Sequence, residues 1–224
     1  MLCILQARMS SKRLPGKTLK KVGDKTLLEM VIDRVLKSKY VSKIIVATSN
    51  HISDLPIRTF CKKKKIKYFA GSLNNVSERF YKIIQSTKSK SFIRISGDSP
   101  LIDPSLIDIA AKKFNSSEYD IVTNIFPRTF PKGQSVEIIK SSIFKKYYFK
   151  MKQKYYLEHV TQFFYKNFKN FKIKNFSNKK NFSHIKMSID TKTEFKWLER
   201  VYNHFTEREL SFLGWKDIIK KKLC

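Results

Sequence analysis

Apolar runs alternate with amphipathic stretches through the first 125 residues of the chain. Short apolar runs predict strands at 1–6, 43–48, 67–70, 91–96 and 120–124. The stretches between them have helical spacing and predict helices at 25–38, 53–64, 76–87 and 104–114, the last with Asp103 as N-cap and Pro104 in its first turn. This alternation is typical of a mostly parallel sheet with right-handed crossovers. We therefore expect an α/β fold with helices flanking a central sheet.

The pattern changes after Asn124. A loop rich in Pro, Gly and aromatic residues (126–133) precedes a predicted strand at 134–139 and a helical stretch from 141 to about 169. We then predict a β-hairpin that pairs 171–176 with 182–189, a helix from 191 to about 205, and a short basic C-terminal helix. Because no linker or internal repeat interrupts the 224 residues, we expect one domain with an elaborated second half.

The formal net charge is +29, which by itself indicates a partner of negative charge. The lysines are spread along the whole chain, and Lys, Asn, Ile, Phe and Tyr are all abundant, as expected from AT-rich codons. A basic nucleic-acid-binding protein is one interpretation of this charge. The interpretation that we favour is a protein whose charge attracts a small polyanionic substrate, with no nucleic acid as partner.

The cysteine pattern and the lengths of the apolar runs indicate the cellular compartment in which the protein works. The three cysteines, Cys3, Cys61 and Cys224, have neither a disulfide pattern nor metal-ligand spacing, which favours a reducing environment. No apolar run has the length of a membrane span, and the first apolar run has no charged region before it. We expect a cytoplasmic protein that does not insert into membranes.

The first seventeen residues indicate a site for phosphate. An apolar run over 1–5 is followed by a polar segment in which Pro15–Gly16 makes a turn. A parallel strand delivers such a loop to the carboxyl edge of the sheet, where ligands bind. Only nine of the 47 basic residues are Arg, so two Arg five positions apart suggest bidentate anion binding, although a solvated basic loop is the alternative. The polar side chains are those of Arg8, Ser10, Ser11, Lys12, Arg13 and Lys17.

Two carboxylates follow predicted strands or apolar stretches. Asp98 ends the strand at 91–96 and lies before Pro100, so it should reach the same sheet edge as the opening loop. A carboxylate beside a phosphate site indicates a divalent cation, whereas a turn-forming Asp is the alternative. Asp190 precedes a capping-box pattern from Thr191 to Glu194, and could be either a cap or a second ligand of the same metal.

A third polar segment, 71–79, opens the predicted helix at 76–87. Its Asn74, Asn75 and Ser77 could contact a base edge through paired donors and acceptors, or could be ordinary helix N-terminal caps. The sequence has neither a P-loop pattern nor a Gly-x-Gly-x-x-Gly pattern, and its four His have no metal-ligand spacing.

Taken together, several motifs resemble those of the cytidylyltransferases that make CMP-activated sugars. The branch that the chain resembles most is the spore coat polysaccharide protein F type, related to CMP-KDO and CMP-sialic acid synthetases. The motifs are Gln6-Ala-Arg-Met-Ser-Ser-Lys-Arg-Leu-Pro-Gly-Lys17, Ile45-Val-Ala-Thr-Ser49, Gly97-Asp-Ser-Pro-Leu-Ile-Asp103, Val136-Glu137, Glu158-His-Val-Thr161 and Asp190-Thr191.

The resemblance implies a Rossmann-like nucleotide-diphospho-sugar transferase fold, with a nucleotide-binding half at 1–125 and an acceptor-binding and dimerisation half at 126–224. It implies that CMP is transferred from CTP to an acidic sugar, such as KDO or a nonulosonic acid, with Mg²⁺ as cofactor. A homodimer through the aromatic-rich 143–168 region is the expected assembly. A phosphonate or sugar-phosphate acceptor, another nucleotide, and a non-catalytic CTP-binding protein are the alternatives.

The resemblance also assigns roles to residues. Asp98 and Asp190 would bind the metal and, with Arg13 and Lys17, form the catalytic set. Two departures from the family pattern are Ser135, where an acidic residue often precedes the Val-Glu pair, and Thr-Lys-Thr-Glu after Asp190. The implied acceptor-binding residues are Glu137 and His159, and the implied nucleotide-binding residues are Gln6, Ala7, Arg8, Ser10, Ser11, Arg13, Lys17, Thr48, Ser77, Arg79, Ser96 and Gly97.

Overall fold

A computed structural model describes residues 1–116, 118–206, 209–210, 213–221 and 223. Seven strands form one sheet in the order β5-β4-β1-β6-β8-β7-β9, and β2 and β3 form a separate two-stranded ribbon. The strands are β1 (Leu2–Gln6), β2 (Lys21–Val22), β3 (Lys25–Thr26), β4 (Lys43–Ser49), β5 (Tyr68–Gly71), β6 (Ser91–Ser96), β7 (Ile121–Thr123), β8 (Glu137–Lys140) and β9 (Ile173–Asn175).

The helices lie on both faces of this sheet. They are α1 (Leu27–Val35), α2 (Leu55–Lys63), α3 (Val76–Thr87), α4 (Pro104–Asn115), α5 (Ser141–Tyr148), α6 (Lys154–Glu158), α7 (Gln162–Lys166), α8 (Lys192–His204) and α9 (Trp215–Lys220), with 3₁₀ turns at Lys17–Leu19, Ile52–Asp54 and Phe168–Asn170.

Alternation along β1 divides the core into two layers. Cys3 and Leu5 pack into a cluster under α1, α4 and α8, whereas Leu2 and Ile4 pack into a cluster under α3, α5 and α7. Strands β5, β4, β1 and β6 are parallel, and β8 is antiparallel to β6. The mostly parallel sheet flanked by helices confirms the predicted fold class.

Local capping signals placed the starts of α3, α4 and α8 to within one residue. Asp103 caps α4 by accepting from the Ser105 N–H, and Asn75 caps α3. Thr191 and Glu194 form the predicted capping box at the start of α8. The first helix begins two residues later than predicted, at Leu27, because Lys25–Thr26 pairs with β2 and Thr26 serves as its N-cap.

The predicted hairpin between 171–176 and 182–189 is wrong. Strand β9 lies parallel to β7, with Ile121 opposite Ile173. The 182–189 segment instead bonds to the 126–133 loop: Lys132 N–H donates to Ile185 O, and Met187 N–H donates to Lys132 O. Hydrophobic alternation shows that a segment is extended but does not select its partner.

The helical stretch predicted over 141–169 is divided in the structure into three short helices, α5 to α7, and a 3₁₀ turn. A straight helix of that length would extend about 44 Å. The chain bends instead, so that Phe144, Met151, Val160 and Phe164 are all buried in one cluster. Strand β8 likewise begins at Glu137 rather than at 134.

Two of the three cysteines lie in the described part of the chain, and neither forms a disulfide there. Cys3 and Cys61 are buried and free, and burial raises the pKa of Cys3 to about 12 and that of Cys61 to about 11. Both thiols are therefore unreactive at neutral pH. Cys224 lies outside the described residues.

Within the part of the chain that the structure describes, no helix is long and apolar enough to cross a membrane.

Candidate active site

The polar loop after β1 closes around the backbone of Met9. The Met9 carbonyl accepts from the N–H groups of Ser11, at 2.8 Å, and Gly16, at 3.1 Å. The Met9 N–H donates to the carboxylate of Asp54 at 2.7 Å. The Thr18 hydroxyl donates to the Arg8 carbonyl at 2.8 Å and ties the end of the loop to its start. The loop therefore has a defined conformation.

Asp54 is a functional candidate that the sequence analysis missed. Its side chain is fully buried, and besides Met9 it accepts from the backbone N–H of Ser49 at 3.1 Å and from the Ser49 hydroxyl at 2.5 Å. It thereby joins the carboxyl end of β4 to the loop after β1. A polar residue shortly after a buried strand was the available signal, but spacing alone does not show that it turns inward.

The carboxyl end of β6 lies directly beside that of β1. Gln6 is opposite Ser96 in the ladder, and the Gly97 N–H donates to the Gln6 carbonyl at 2.8 Å. A Cβ at Gly97 would lie only 2.9 Å from that same oxygen, so a side chain there would force the strands apart. This close approach brings Asp98 to the loop, as predicted.

Asp98 and Asp190 meet at the ammonium group of Lys17. The Lys17 Nζ lies 2.8 Å from Asp190 Oδ1 and 3.5 Å from Asp98 Oδ2, and it donates to the Ile189 carbonyl at 2.6 Å. The Ile189 N–H in turn donates to the Asp98 carbonyl at 2.8 Å. Two carboxylates that are 92 positions apart in the sequence thus share one cation.

Basic side chains also surround Asp190 from the other side. Its Oδ2 lies 2.8 Å from Lys186 Nζ and 3.2 Å from Arg13 Nη2. Burial alone would raise the pKa of Asp190, but the hydrogen bonds from Lys17 and Lys186 outweigh it and lower the pKa to about 2. Asp190 is therefore a carboxylate at any physiological pH.

These groups line a cavity of about 740 Å³ at the sheet edge. Five cationic side chains and three carboxylates face it, an excess of two positive charges. At one rim, Glu158 of α6 pairs with Arg8 at 3.1 Å. The predicted residues that line this cavity are Gln6, Ala7, Arg8, Ser10, Ser11, Lys12, Arg13, Lys17, Asn74, Ser96, Gly97, Asp98 and Asp190. Glu158, which the sequence analysis gave only within a family motif, also lines it, and the residues that prediction missed are Thr18, Leu73 and Lys154.

Two predicted nucleotide-binding residues on α3 lie under the cavity wall instead of on it. Ser77 and Arg79 are fully buried. The Ser77 hydroxyl donates to the Tyr156 carbonyl at 2.8 Å, and Arg79 donates to the carbonyls of Ser72 and Leu73. They hold the loop that presents Leu73 and Asn74 to the cavity. Thr48 is also fully buried, within β4.

The two predicted acceptor residues do not line the cavity. His159 is exposed just after α6, with its ring 4.7 Å from that of Tyr155. Glu137 is fully buried and pairs with Arg94, which donates in turn to Gln6 Oε1 at 3.2 Å. Its other oxygen accepts from the Tyr165 hydroxyl at 2.6 Å. Glu137 therefore orients Arg94 and does not itself face the cavity.

The carboxylates of the cavity determine which metal ion it could bind. Among the described residues, no group of three or more His, Cys, Asp or Glu could hold a metal ion by itself. Asp98 and Asp190 are close enough to share the Lys17 ammonium. Mg²⁺ is commonly bound through one or two carboxylates together with phosphate oxygens and water, so this pair suits Mg²⁺ that arrives with a phosphate ligand.

The sheet, its helix-covered faces and a phosphate-type loop at the carboxyl edge define an α/β protein with the Rossmann-like fold of nucleotidyltransferases. A family profile described as cytidylyltransferase matches residues 2–217. The chain belongs to the cytidylyltransferase family.

Individual relatives agree with this assignment. The chain is 34% identical over 148 residues to the spore coat polysaccharide biosynthesis protein SpsF of Bacillus subtilis, covering 63% of this chain and 60% of SpsF. It is 32% identical over 107 residues to a 3-deoxy-manno-octulosonate cytidylyltransferase of Geotalea daltonii, covering 48% of this chain and 42% of that enzyme. The aligned regions therefore span less than two thirds of these relatives.

A solved structure extends the likeness to the whole fold. A cytidylyltransferase from Leptospira borgpetersenii serovar Hardjo-bovis superposes with a TM-score of 0.91 at 28% identity. The superposition covers 98% of this chain and 92% of that one.

Proposed function

We propose that this protein transfers CMP from CTP to an acidic sugar and releases pyrophosphate. The observation that carries the proposal is the convergence of Arg13 and Lys17 with Asp98 and Asp190 at the carboxyl edge of the sheet. The two excess positive charges of the cavity complement a triphosphate whose charge a bound cation has partly neutralised. Family membership supports the choice of CTP, and the 3-deoxy-manno-octulosonate relative supports an acidic sugar.

In this proposal an acceptor hydroxyl oxygen attacks the α-phosphorus of CTP in line. The new bond joins that oxygen to phosphorus, the α–β bridging bond breaks, pyrophosphate leaves with the bonding electrons, and the hydroxyl proton is released. Arg8, Arg13 and Lys17 bind the β- and γ-phosphates and neutralise the charge that builds on the leaving group. Catalysis then rests mainly on positioning and electrostatics.

Asp98 and Asp190 would hold Mg²⁺ together with phosphate oxygens of CTP. When bound, Mg²⁺ would neutralise phosphate charge and lower the pKa of a coordinated hydroxyl. In the absence of nucleotide, Lys17 balances both carboxylates. Arrival of the triphosphate gives the Lys17 ammonium an anionic partner other than Asp98, so the lysine can pass from the carboxylates to the phosphates.

The test is pyrophosphate release with each of CTP, UTP, GTP and ATP, with and without Mg²⁺. The acceptors are KDO, a nonulosonic acid, a phosphonate and a sugar phosphate. We expect release only with CTP, Mg²⁺ and an acidic sugar, and none with Asp98→Asn. A fully active Asp98→Asn protein would contradict the metal role. A wild-type protein whose melting temperature does not respond to CTP would contradict the proposed function and favour a nucleic-acid-binding protein.

A further inference from the structure

A second, smaller pocket of about 220 Å³ adjoins the large cavity. The two share Ser96 and Asp98, so any group in the small pocket lies next to the proposed metal and nucleotide site. We call it the side pocket. Its lining includes Arg94, Arg128, Lys132, Ser99, Ser135 and Ser188.

One wall of the side pocket is built by close backbone packing. Gly133 has a φ of +97°, and a Cβ there would lie 2.7 Å from the Ser188 backbone nitrogen. The neighbouring Lys132 forms two backbone hydrogen bonds with the 185–187 segment, of 2.9 and 2.7 Å. The loop that carries Arg128 and Lys132 is thus fixed against the chain that leads to Asp190.

Two cations of the side pocket, Arg128 and Lys132, form no ion pair with a carboxylate of the residues that the structure describes. Arg128 donates only to neutral oxygens, those of Ser135 at 2.9 Å and of the Pro131 carbonyl at 3.4 Å. Burial lowers the pKa of Arg128, although Glu137 partly offsets this, which shows that its charge is held away from water. Lys132 is exposed and forms no ion pair with any residue that the structure describes.

The third cation, Arg94, is already neutralised by Glu137, and among the described residues on the pocket wall Asp98 supplies the one carboxylate. The Nε of Arg94 is buried and has no hydrogen-bond partner among the described residues. With Arg94 paired to Glu137, and with Asp98 already 3.5 Å from Lys17 Nζ, Arg128 and Lys132 give the side pocket its positive charge.

We propose that the side pocket is the acceptor subsite, that Arg128 binds a carboxylate of the acceptor through its guanidinium fork, and that the surrounding serines bind its hydroxyls. This assignment rests on the proposed function. A planar guanidinium matches a carboxylate in two parallel hydrogen bonds. Four serines, at 96, 99, 135 and 188, supply donors and acceptors for a polyhydroxylated ligand.

A carboxylate suits the pocket better than a phosphate or phosphonate by its shape. Its two oxygens lie in one plane and pair with a single guanidinium fork, whereas a tetrahedral phosphate brings a third oxygen that a pocket of only about 220 Å³ would also have to accommodate. An acidic sugar therefore matches Arg128 better than a sugar phosphate does.

The experiment uses three small probes that carry a methyl group: pyruvate, its neutral methyl ester, and methylphosphonate. Saturation-transfer NMR on the methyl signal reports binding of each to the full-length protein in the presence of saturating CTP and Mg²⁺, which occupy the phosphate loop. The proteins are wild type, Arg128→Gln, Arg128→Lys and the matched control Arg200→Gln, which removes an exposed charge on α8. The shift of melting temperature with CTP is measured for all four.

We expect pyruvate to bind wild type and Arg200→Gln equally, and to bind Arg128→Gln at least tenfold more weakly. Arg128→Lys keeps the charge without the fork and should fall between them. The ester and methylphosphonate should bind less than pyruvate. All four proteins should show the same response to CTP.

Several results would overturn the assignment. Pyruvate that fails to bind wild type, or that binds Arg128→Gln as well as wild type, contradicts a carboxylate subsite at Arg128. Methylphosphonate that binds as well as pyruvate or better contradicts the choice of carboxylate. Loss of the CTP response in Arg128→Gln alone would show that Arg128 acts on the nucleotide site. Loss in wild type would refute the proposed function instead.

Discussion

Substitutions at Asp54 provide the sharpest test of what fixes the conformation of the polar loop after β1. Replacing it with Ala removes all three hydrogen bonds that its buried carboxylate accepts, from Met9 and Ser49. Replacing it with Asn keeps one acceptor oxygen and places an NH₂ donor against the other N–H or hydroxyl. The two variants therefore remove different numbers of hydrogen bonds at the same position.

The magnitude follows from burial and charge. Hydrogen bonds to a charged group each contribute about 1.5–3 kcal/mol, and neighbouring contributions do not add fully. We expect Asp54→Ala to lower the free energy of unfolding by about 3–5 kcal/mol and Asp54→Asn by about 1–3 kcal/mol. Because Met9 also anchors Ser11 and Gly16, we expect CTP to bind at least tenfold more weakly to either variant, a loss of about 1.4 kcal/mol.

Urea unfolding gives the stability, and calorimetric titration at a temperature where each variant is folded gives the CTP affinity. Asp24→Asn is the matched control, because Asp24 is exposed in the turn of the β2–β3 ribbon. If Asp54→Asn unfolds at the wild-type urea concentration and binds CTP with wild-type affinity, the Asp54 carboxylate does not fix the loop after β1. Loss of stability with unchanged CTP affinity would reduce Asp54 to a purely structural role.

Two further predictions concern buried polar groups. The pKa of Asp190 lies at about 2 in the folded protein, against 3.8 ordinarily. The ionised Asp190 therefore stabilises the folded protein by about 2 kcal/mol, and this contribution is complete above pH 4 and is lost as the pH falls towards 2. Urea unfolding between pH 2 and 6 should therefore show a steeper acid loss for wild type than for Asp190→Asn, and parallel curves would contradict the ion pairing. Tyr165→Phe leaves a buried oxygen of Glu137 without its donor and should lower the free energy of unfolding by about 1–3 kcal/mol. Tyr155→Phe is the control, at an exposed position, and should change that free energy by less than about 0.5 kcal/mol. Equal effects of the two substitutions would argue against the hydrogen bond between Tyr165 and Glu137.

Much of the fold of the first 125 residues could be predicted because the signals there are local. Strands β1 and β4 contain continuous apolar runs, β6 is apolar except for Arg94 and its two terminal serines, and α3 and α4 begin at recognisable caps. Asp98 and Asp190 could be proposed because each follows a strand-like segment, and the structure brings both to Lys17.

The second half could not be predicted to the same depth, because its structure depends on tertiary partners. The 182–189 segment satisfies its backbone against the loop at 126–133 and so delivers Asp190 to Asp98. Arg128 attracted no notice in the sequence, since one Arg in a Pro-rich loop has no pattern. Ser77 and Arg79 were expected to contact nucleotide, but in the fold both side chains are buried and donate to backbone carbonyls.

The most direct test of the central claim is calorimetric titration of CTP, with Mg²⁺, into wild type, Arg13→Gln and Arg200→Gln. Arg13 is mostly exposed at the cavity and pairs with Asp190, so its replacement should leave the fold intact. We predict that wild type and Arg200→Gln bind CTP alike, and that Arg13→Gln binds at least tenfold more weakly. Absence of CTP binding by wild type, or equal binding by all three proteins, would contradict the assignment of this cavity as the CTP site.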